Sequence, residues 1–450
     1  MTTSDKTSTF SIASIYAFRM LGLFIILPIF SLYADKIIDA TPTLIGIALG
    51  IYGLTQALLQ IVFGIMSDHY GRKPIIIFGL ILFILGSIVC ALSTTIYGII
   101  IGRALQGAGA IGSTLTALVA DVTKEENRMK AMSVVGMTIG FSFLIAIILG
   151  PILNNIIGLS GIFWLTAVLG VIAIGVLIKF VPTPKVLLVH PVNETVKGQI
   201  VKVLLMPELM RLNFGILVLH ASLTALFIAV PIILQDYMGI GESAQWVVYL
   251  PVLLISFCLM IPFIIIAETK NRMKKVFVSA IFVLMLMQFL LFGFDKHIVV
   301  MSVLLVLFFA SFTLLESSLP SLVSKLCPIR RKGTAMGIFS SFQFLGIFIG
   351  GALGGVIFHH FGVKGVFIFN GVLTLLWLIV AISMKKPKQL STKIIGLKSL
   401  TEDKLQHIQE GIKKISGVEE AYIAKDEKTA YLKVDKRNFD EKALIALVGE

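Results

Sequence analysis

The chain has 450 residues, of which 57% are hydrophobic and only 14% are charged, with a mean hydropathy of +0.97 and a formal net charge of +13. Soluble domains carry roughly 25% charged residues, so this composition excludes an ordinary soluble protein and indicates a membrane protein. The cysteines Cys90, Cys258 and Cys327 lack the spacing of metal ligands, so we predict free thiols.

Apolar runs long enough to cross a bilayer as helices recur from the N-terminal region to Met384. They lie near residues 12–33, 44–66, 75–95, 97–120, 132–155, 162–180, 212–235, 246–267, 276–294, 298–323, 333–358 and 365–384. The first run follows a short polar tail and is too long to be a cleavable signal. The sequence therefore predicts an all-α membrane protein with twelve transmembrane helices.

Basic residues divide unequally between the two sets of turns. One set carries Arg72, Lys73, Lys124, Arg128, Lys130, Lys270, Arg272, Lys274, Lys275, Lys325, Arg330, Arg331 and Lys332, whereas the opposite set carries Lys36, Lys296 and Lys364. Because Lys and Arg concentrate in cytoplasmic turns, we expect both termini in the cytoplasm. The positive charge is then a topology signal, and we expect no nucleic-acid partner.

The turn after the second span mixes glycine, one acid and two basic residues: Gly64, Asp68, Gly71, Arg72 and Lys73. The glycines permit a close backbone approach or a positive φ in a short reversal. One interpretation is a loop that only sets topology. The other is a gating loop, and the rest of the chain decides between them.

The two halves of the chain repeat each other at a nearly constant offset. Asp68 and Arg72 match Glu268 and Arg272 at an offset of 200, Pro28 matches Pro231 at 203, and Ala131 with Gly158 matches Ala335 with Gly362 at 204. Six spans separate the copies, so the repeats are parallel. They predict two six-helix bundles, 1–180 and 212–384, with alternating access between them.

Two segments outside the spans have a different composition. Residues 181–211 predict a cytoplasmic linker, in which spaced apolar and basic residues from Lys197 to Met210 indicate a helix on the membrane surface. After a basic linker at 385–392, residues 393–450 predict a small α+β ferredoxin-like cytoplasmic domain. Its predicted strands are Ile394–Leu397, Val418–Ala424 and Thr429–Val434, and its predicted helices begin at Thr401 and Asp440.

The turn Gly64-x₃-Asp68-x₂-Gly71-Arg72-Lys73 resembles the signature loop of the major facilitator superfamily. The fourth span adds a second motif of that family, Arg103-x₂-Gln106-Gly107-x-Gly109. Phe18-Arg19-x-Leu21-Gly22, Leu315-Glu316-x₂-Leu319-Pro320 and the ferredoxin-like tail are similar to the YajR type. This resemblance implies a bacterial inner-membrane transporter that uses protons to drive efflux.

Three departures from the family pattern stand out. The antiporter-type motif of the fifth span keeps Gly150 and Pro151, but Asn154 and Asn155 replace a glycine pair. The second-half loop keeps Glu268 and Arg272 without the central glycine, so we expect a less constrained loop. The tail resembles heavy-metal-associated domains, but residues 397–401 contain no Cys-x₂-Cys, so we expect no metal site.

Ionisable residues inside a span are costly and usually face a cavity. Four lie well inside spans: Arg19, Arg103, His220 and Glu316. Their spans line the central cavity in the family fold. We predict Glu316 as the proton carrier, because burial and nearby cations shift its protonation in opposite directions. A packing role, with hydrogen bonds across helices, is the alternative.

The other three residues have their own alternatives. Arg19 either pairs with Glu316 or binds an anionic group of the substrate, unless it forms a structural ion pair. Arg103 and Gln106 belong to the motif that the resemblance links to coupling. His220 titrates near neutrality, although a lone histidine is more often a satisfied polar residue.

The resemblance and the turn chemistry favour a gate at the signature loop. Asp68 is predicted to interact with the positive N-terminal end of the eleventh span, which opens at Gly333. Arg72 is predicted to pair with Asp121 at the end of the fourth span. These contacts would close the cytoplasmic side in the outward-open state.

These observations together predict a secondary transporter, not an enzyme. The sequence lacks a phosphate-binding Walker loop and any grouped catalytic residues, so we expect no cofactor. The favoured function is proton-coupled export of a small amphipathic compound. One alternative is a metabolite facilitator or proton symporter. Another is a membrane sensor that signals through the C-terminal domain. The sequence of that domain is equally compatible with a regulatory role or with self-association.

Overall fold

The structure is a computed structural model, and it describes residues 3–33, 36–123, 125–183, 196–270, 272–293, 297–328, 331–384, 390–396, 411–412, 415–424, 429–435, 438–440, 443–444 and 447. The first helix expected in the C-terminal domain lies largely outside these residues, as does most of the second. Helices dominate the rest of the described chain, as the apolar runs predicted.

The first half consists of helices α1 to α6. Their bounds are Thr3–Phe24 (α1), Pro42–Tyr70 (α2), Arg72–Leu92 (α3), Ile96–Ala108 (α4), Gly112–Val122 (α5) and Glu125–Phe180 (α6), with a short 3₁₀ helix at Phe30–Tyr33. Thr41 caps α2, since its hydroxyl accepts from the Leu44 N–H at 3.2 Å and Pro42 fills the first turn. The fourth predicted span is thus broken into α4 and α5.

The second half consists of helices α7 to α12. Their bounds are Val196–Leu204 (α7), Pro207–Ile232 (α8), Trp246–Thr269 (α9), Met273–Gly293 (α10), Ile298–Leu326 (α11) and Lys332–Ile382 (α12). The predicted surface helix at 197–210 is wrong in its extent. Pro207 cannot continue α7, because it lacks the backbone N–H, and it begins α8 instead.

Helices α6 and α12 each contain one glycine with non-helical geometry. Gly158 has φ 66° and Gly362 has φ 62°. A straight helix of the length of α6, 56 residues, would extend about 84 Å, far beyond a hydrocarbon core of about 30 Å. The chain therefore changes direction at these glycines. Their offset of 204 residues is the offset of the sequence repeat.

Eight helices of the described chain are long and apolar enough to cross a membrane: α2, α3, α6, α8, α9, α10, α11 and α12. Divided at Gly158 and Gly362, they provide ten crossings. The count of twelve remains a prediction, because it needs α1 and the α4–α5 pair as two further spans. We call the end that carries Arg72 and Lys325 the basic end, and the opposite end, which carries Lys36 and Glu242, the far end.

Helix α2 of the first half packs closely on α12 of the second half. Glycines make this approach possible. A Cβ atom on Gly46 would lie 2.2 Å from the Gly351 carbonyl oxygen, and one on Gly53 would lie 2.4 Å from that of Phe344. Gly46 lies in the first turns of α2, at the far end. The two halves are therefore in backbone contact on that side.

The C-terminal part contains a three-stranded antiparallel sheet. Its strands are Leu390–Gly396 (β1), Val418–Ala424 (β2) and Thr429–Asp435 (β3), in the order β1-β3-β2. The second and third strands begin where the sequence predicted. β1 begins four residues before the predicted Ile394. Ala430, Leu432 and Val434 are buried in a small core of this domain's own.

Candidate functional site

Glu316, His220 and Gln343 meet between α11, α8 and α12. His220 Nε2 lies 3.0 Å from Glu316 Oε2, and Gln343 Nε2 donates to Glu316 Oε1 at 3.1 Å. Gln343 Nε2 also lies 2.8 Å from His220 Nε2. His220 is almost fully buried, whereas the Glu316 side chain is 34% exposed. Glu316 lies about 15 Å from the basic end of α11, at 1.5 Å per residue.

The ring nitrogen Nε2 of His220 faces both other members of this cluster. A ring nitrogen carries either one hydrogen or one lone pair, so Nε2 makes one strong hydrogen bond at a time. Which group donates depends on the tautomer of His220. His220 Nδ1 has no hydrogen-bond partner among the described residues.

Arg19 of α1 reaches neutral side chains of α2. Its Nη2 donates to Gln56 Oε1 at 2.5 Å and to the Tyr52 hydroxyl at 3.2 Å. Gln56 continues the chain by donating to Gln60 Oε1 at 3.0 Å. Within the described residues Arg19 forms no ion pair, so the predicted pairing with Glu316 is not present. Glu316 is engaged by His220 and Gln343 instead.

Arg103 of α4 lies beside the same tyrosine. Its Nη1 donates to Gln106 Oε1 at 3.0 Å, and its guanidinium stands 5.0 Å from the Tyr52 ring centre. Gln106 in turn donates to the Ser87 hydroxyl at 2.7 Å. The motif glycines allow α4 to approach α2, since a Cβ atom on Gly107 would lie 2.2 Å from the Tyr52 carbonyl oxygen. The family motif thus builds one polar network inside the first half.

A small cavity lies between the two halves, beside His220. It is lined by Leu23, Phe24, Leu27, Leu49, His220, Leu223, Thr224 and Ile347. Arg19 and Leu23 are four residues apart and therefore lie on one face of α1. The lining is largely apolar, with polar groups at His220 and Thr224. In this state the cavity is too small to hold an organic compound.

The signature loop places Arg72 between two carboxylates at the basic end. Its Nε donates to Asp121 Oδ2 at 2.8 Å, and its Nη1 donates to Asp68 and to the Ser67 hydroxyl. The side chains of Arg72 and Asp121 are 6% and 3% exposed, whereas that of Asp68 is 45% exposed. This is the Arg72–Asp121 pairing that the sequence predicted. Gly71 has φ 91°, which explains the glycine between α2 and α3.

The remaining predicted residues of the loops have simpler surroundings. Among the described residues, Asp68 makes no hydrogen bond to the start of α12 near Gly333. A Cβ atom on Gly64 would lie 3.4 Å from Ser113 Oγ, which is an ordinary contact distance. Lys73 lies in the first turn of α3. In the second-half loop Arg272 is exposed, and the side chain of Glu268 is outside the described part.

The far end is joined by a polar cluster that crosses between the halves. Lys36 Nζ donates to Glu242 Oε1 at 2.6 Å, and Asn154 Nδ2 donates to Glu242 Oε2 at 3.2 Å. Tyr33 donates to Asn154 Oδ1 at 2.5 Å. The hydrogen bond to Glu242 raises the pKa of the Lys36 ammonium above its ordinary 10.5. Asn154, noted above only as a departure from a motif, thus bonds across the bundle interface.

Gly150 and Pro151 hold α6 against α1. A Cβ atom on Gly150 would lie 2.5 Å from the Ile25 carbonyl oxygen and 3.0 Å from Pro28 Cγ. Pro151 lies inside α6. The remainder of the antiporter-type motif therefore serves close helix packing here.

A lysine of the C-terminal domain contacts the helix that carries Glu316. Lys433 Nζ donates to the Lys325 carbonyl oxygen at 3.1 Å and to that of Cys327, at the C-terminal end of α11. Glu420 lies 3.8 Å from the same ammonium. Burial lowers the pKa of Lys433 and raises that of the Cys327 thiol to about 11. Cations are favoured at a helix C-terminus, where carbonyl groups lack partners.

Sequence reasoning missed three neutral members of these networks and one acidic residue at the far end. Gln343, Gln56 and Tyr52 were not singled out, because only ionisable residues inside spans were searched, and Glu242 lies outside the predicted spans. Polar amides inside apolar runs were the available signal, since such groups need partners in a membrane. Three of these residues lie in spans that the sequence had located.

Comparison with known proteins identifies the family. The family model of the Major Facilitator Superfamily matches residues 12–351 and 314–422. The chain is 42% identical to the inner membrane transport protein YajR of Escherichia coli strain K12, over 97% of this chain and 96% of that one. It is 25% identical to the multidrug resistance protein MdtH of Yersinia enterocolitica, over 74% and 82% of the two chains.

A solved structure has the same fold. A bacterial homologue of the human lysosomal transporter Spinster, in an inward-facing and occupied conformation, superposes with a TM-score of 0.70 at 12% identity, over 83% of this chain and 95% of that one. The fold, the family model and the relative that matches almost the full length of the chain all indicate the same family. The chain belongs to the major facilitator superfamily and is a multi-pass membrane transporter, not an enzyme.

Proposed function

We propose that this transporter exports a small amphipathic compound in exchange for protons, with Glu316 as the proton carrier. It acts in a bacterial inner membrane with both termini in the cytoplasm, so that the basic end faces the cytoplasm. The unequal distribution of basic residues supports this orientation. The name of the E. coli relative, an inner membrane transport protein, supports the location.

The observation that carries this proposal is the hydrogen-bonded, partly open carboxyl of Glu316. A carboxyl group deep inside a membrane protein is stable when it is neutral or paired. As the carrier, Glu316 would hold its proton beside His220 and Gln343, which contact its two carboxyl oxygens. The 34% exposure of Glu316 provides a path for that proton. A rearrangement that opens the opposite side of the transporter would release the proton there.

Alternating access is supported by two sets of contacts at opposite ends. At the far end, Lys36 and Asn154 bond Glu242 across the halves, and the glycines of α2 and α12 are in backbone contact. At the basic end, Arg72 bonds Asp121 and Asp68 of its own half, and the Asp68 side chain is 45% exposed. We infer a state closed at the far end, which alternates with one closed by Asp68.

The substrate class is supported by the cavity and by a distant relative. The cavity lining is apolar apart from His220 and Thr224. The distant relative MdtH is named a multidrug resistance protein. We therefore propose that this transporter also moves its substrate out of the cell.

Proton flux in proteoliposomes tests the proposal. The wild type is compared with Glu316→Gln, using a pH-sensitive dye inside the vesicles and a panel of amphipathic compounds outside. We expect compound-dependent proton movement in the wild type and its loss in Glu316→Gln, which removes the titrating group without changing its size. Glu208→Gln is the control, because Glu208 pairs with Arg211 at the surface of α8, away from the cluster.

Two outcomes would contradict the proposal. Proton movement retained in Glu316→Gln would remove Glu316 as the carrier and direct attention to Asp68, Asp121 and His220. Compound uptake without any proton movement in the wild type would favour a facilitator.

A further inference from the structure

Arg19 is a buried cation, and some of its N–H groups have no hydrogen-bond acceptor among the described residues. Its side chain is 1% exposed. Nη2 bonds Tyr52 and Gln56, whereas Nε and Nη1 have no hydrogen-bond partner among the described residues. A guanidinium carries five N–H donors and stays protonated in proteins. Three N–H groups of Arg19 are therefore unused.

The surroundings do not compensate this charge. Both hydrogen-bond partners are neutral, and Arg103, which is also buried, lies against the ring of the same Tyr52. The polar partners of Arg103 are an amide and a backbone carbonyl group, and its Nη2 has no partner. Burying an unpaired charge is costly, so such groups usually meet a counter-ion. Within the described residues, no carboxylate pairs with either arginine.

The position of Arg19 connects this charge to the cavity. Arg19 stands one turn from Leu23, and Tyr52 one turn from Leu49, on the cavity-lining faces of α1 and α2. Phe344 of α12 lies opposite, with its ring centre 6.5 Å from that of Tyr52. Arg19 does not line the cavity in this state. A state in which the cavity extends by one helical turn along α1 would bring the polar head group of a ligand next to Arg19.

We propose that the transported compound is an organic anion, with a carboxylate or a similar oxyanion bound by the free N–H groups of Arg19 and an apolar body in the cavity. This inference rests on the proposed transport function and names its substrate class. A cationic compound would meet two buried positive charges, whereas an anion compensates them. The Arg19 site is separate from the Glu316 cluster, so each is testable alone.

Equilibrium binding to the purified full-length protein in nanodiscs tests this inference. Three ligands share one apolar body and differ in charge: 2-naphthoate, 2-naphthamide and 2-naphthylmethylammonium. We expect 2-naphthoate to bind at least about tenfold more tightly than the other two, a difference of about 1.4 kcal/mol. Arg19→Gln should remove this preference, and Arg19→Lys should retain part of it. Arg211→Gln, at the surface of α8, should leave the preference unchanged.

The Glu316→Gln variant separates the inference from the function on which it rests. If Arg19 binds the anion, the preference for 2-naphthoate persists in Glu316→Gln although proton coupling is lost. Equal binding of the three ligands by the wild type, stronger binding of the ammonium, or no binding of 2-naphthoate would overturn the inference. So would an undiminished preference in Arg19→Gln. The wild-type comparison decides the matter even if Arg19→Gln does not fold. Absence of proton coupling in the wild type, with the preference intact, would overturn only the proposed exchange.

Discussion

His220 and Glu316 share a hydrogen bond of 3.0 Å that joins α8 to α11, and Gln343 of α12 contacts both side chains. The cluster therefore links three helices of the second half. A single Nε2 cannot donate to Glu316 and accept from Gln343 at the same time. A change in the protonation of Glu316 would therefore change which of the two contacts His220 keeps. A proton-dependent rearrangement of α12 is expected to begin at this point.

Gln343→Leu should weaken proton coupling without unfolding the protein. The substitution removes the donor to Glu316 and His220, and hydrogen bonds to charged groups contribute about 1.5–3 kcal/mol. We expect compound-driven proton flux to fall by at least about tenfold. Gln288→Leu in α10 is the control, because the Gln288 amide is buried without a hydrogen-bond partner in the described chain. Similar losses in both variants would assign the effect to packing.

Gly46→Ala should prevent closure of the far end. The added Cβ atom would lie 2.2 Å from the Gly351 carbonyl oxygen, so the backbones of α2 and α12 must separate. We expect a longer distance between spin labels at Thr94→Cys and Ser243→Cys, measured in a Cys258→Ser background. Gly140→Ala should change nothing, because no atom lies within 4 Å of its added Cβ. An unchanged distance in Gly46→Ala would show that closure does not need this contact.

Far-end closure should weaken at high pH through Lys36. The bond to Glu242 raises the pKa of Lys36 above 10.5. The contribution of this pair is therefore complete below pH 10.5 and is lost as the pH rises through the raised pKa. The same label distance should lengthen as the pH rises above 10.5, and high salt should lengthen it at neutral pH. Lys36→Ala should abolish both dependences; a variant that keeps them would point to another group.

Asp121→Asn should destabilise the protein far more than Asp68→Asn. Both carboxylates bond Arg72, but the Asp121 side chain is 3% exposed and that of Asp68 is 45% exposed. Removing one partner of a buried pair costs about 3–5 kcal/mol, whereas an exposed pair contributes about 0–1 kcal/mol. Thermal unfolding in detergent measures the two variants. Equal shifts of the melting temperature would mean that burial does not decide the strength of this pair.

Lys433→Ala should expose Cys327. Lys433 bonds the carbonyl groups at the end of α11, and burial holds the pKa of the Cys327 thiol at about 11. A thiol reacts as the thiolate, so release of the domain should both uncover it and raise its reactive fraction at pH 8. We expect maleimide labelling to accelerate at least about tenfold in a Cys258→Ser background, whereas Ser416→Ala should have no effect. Unchanged labelling would show that Lys433 does not hold the domain in place.

Much of the fold was predictable because its signals are local. Apolar length located the spans, and the repeat identified Gly158 and Gly362 as equivalent positions, both of which have positive φ. The predicted extent of the surface helix was wrong because it followed the spacing of apolar residues. Pro207 lacks a backbone N–H and cannot continue the helix.

The candidate site was only partly predictable. Charge inside apolar runs marked Glu316, His220, Arg19 and Arg103, but it does not indicate which of them meet. Helix packing brought Glu316 to His220 and Gln343, and it gave Arg19 neutral partners of α2. The rotation of each helix about its axis decides this, and one sequence does not specify it.

The reversals at Gly158 and Gly362 leave hardly any connecting chain on their side of the membrane. Each pair of helices continues through a single residue, so neither member can slide independently of the other. Among the described residues, the far end therefore consists largely of short turns, such as those around Lys36 and Glu242. A peptide tag inserted at Gly158 would separate two helices that now move as one unit.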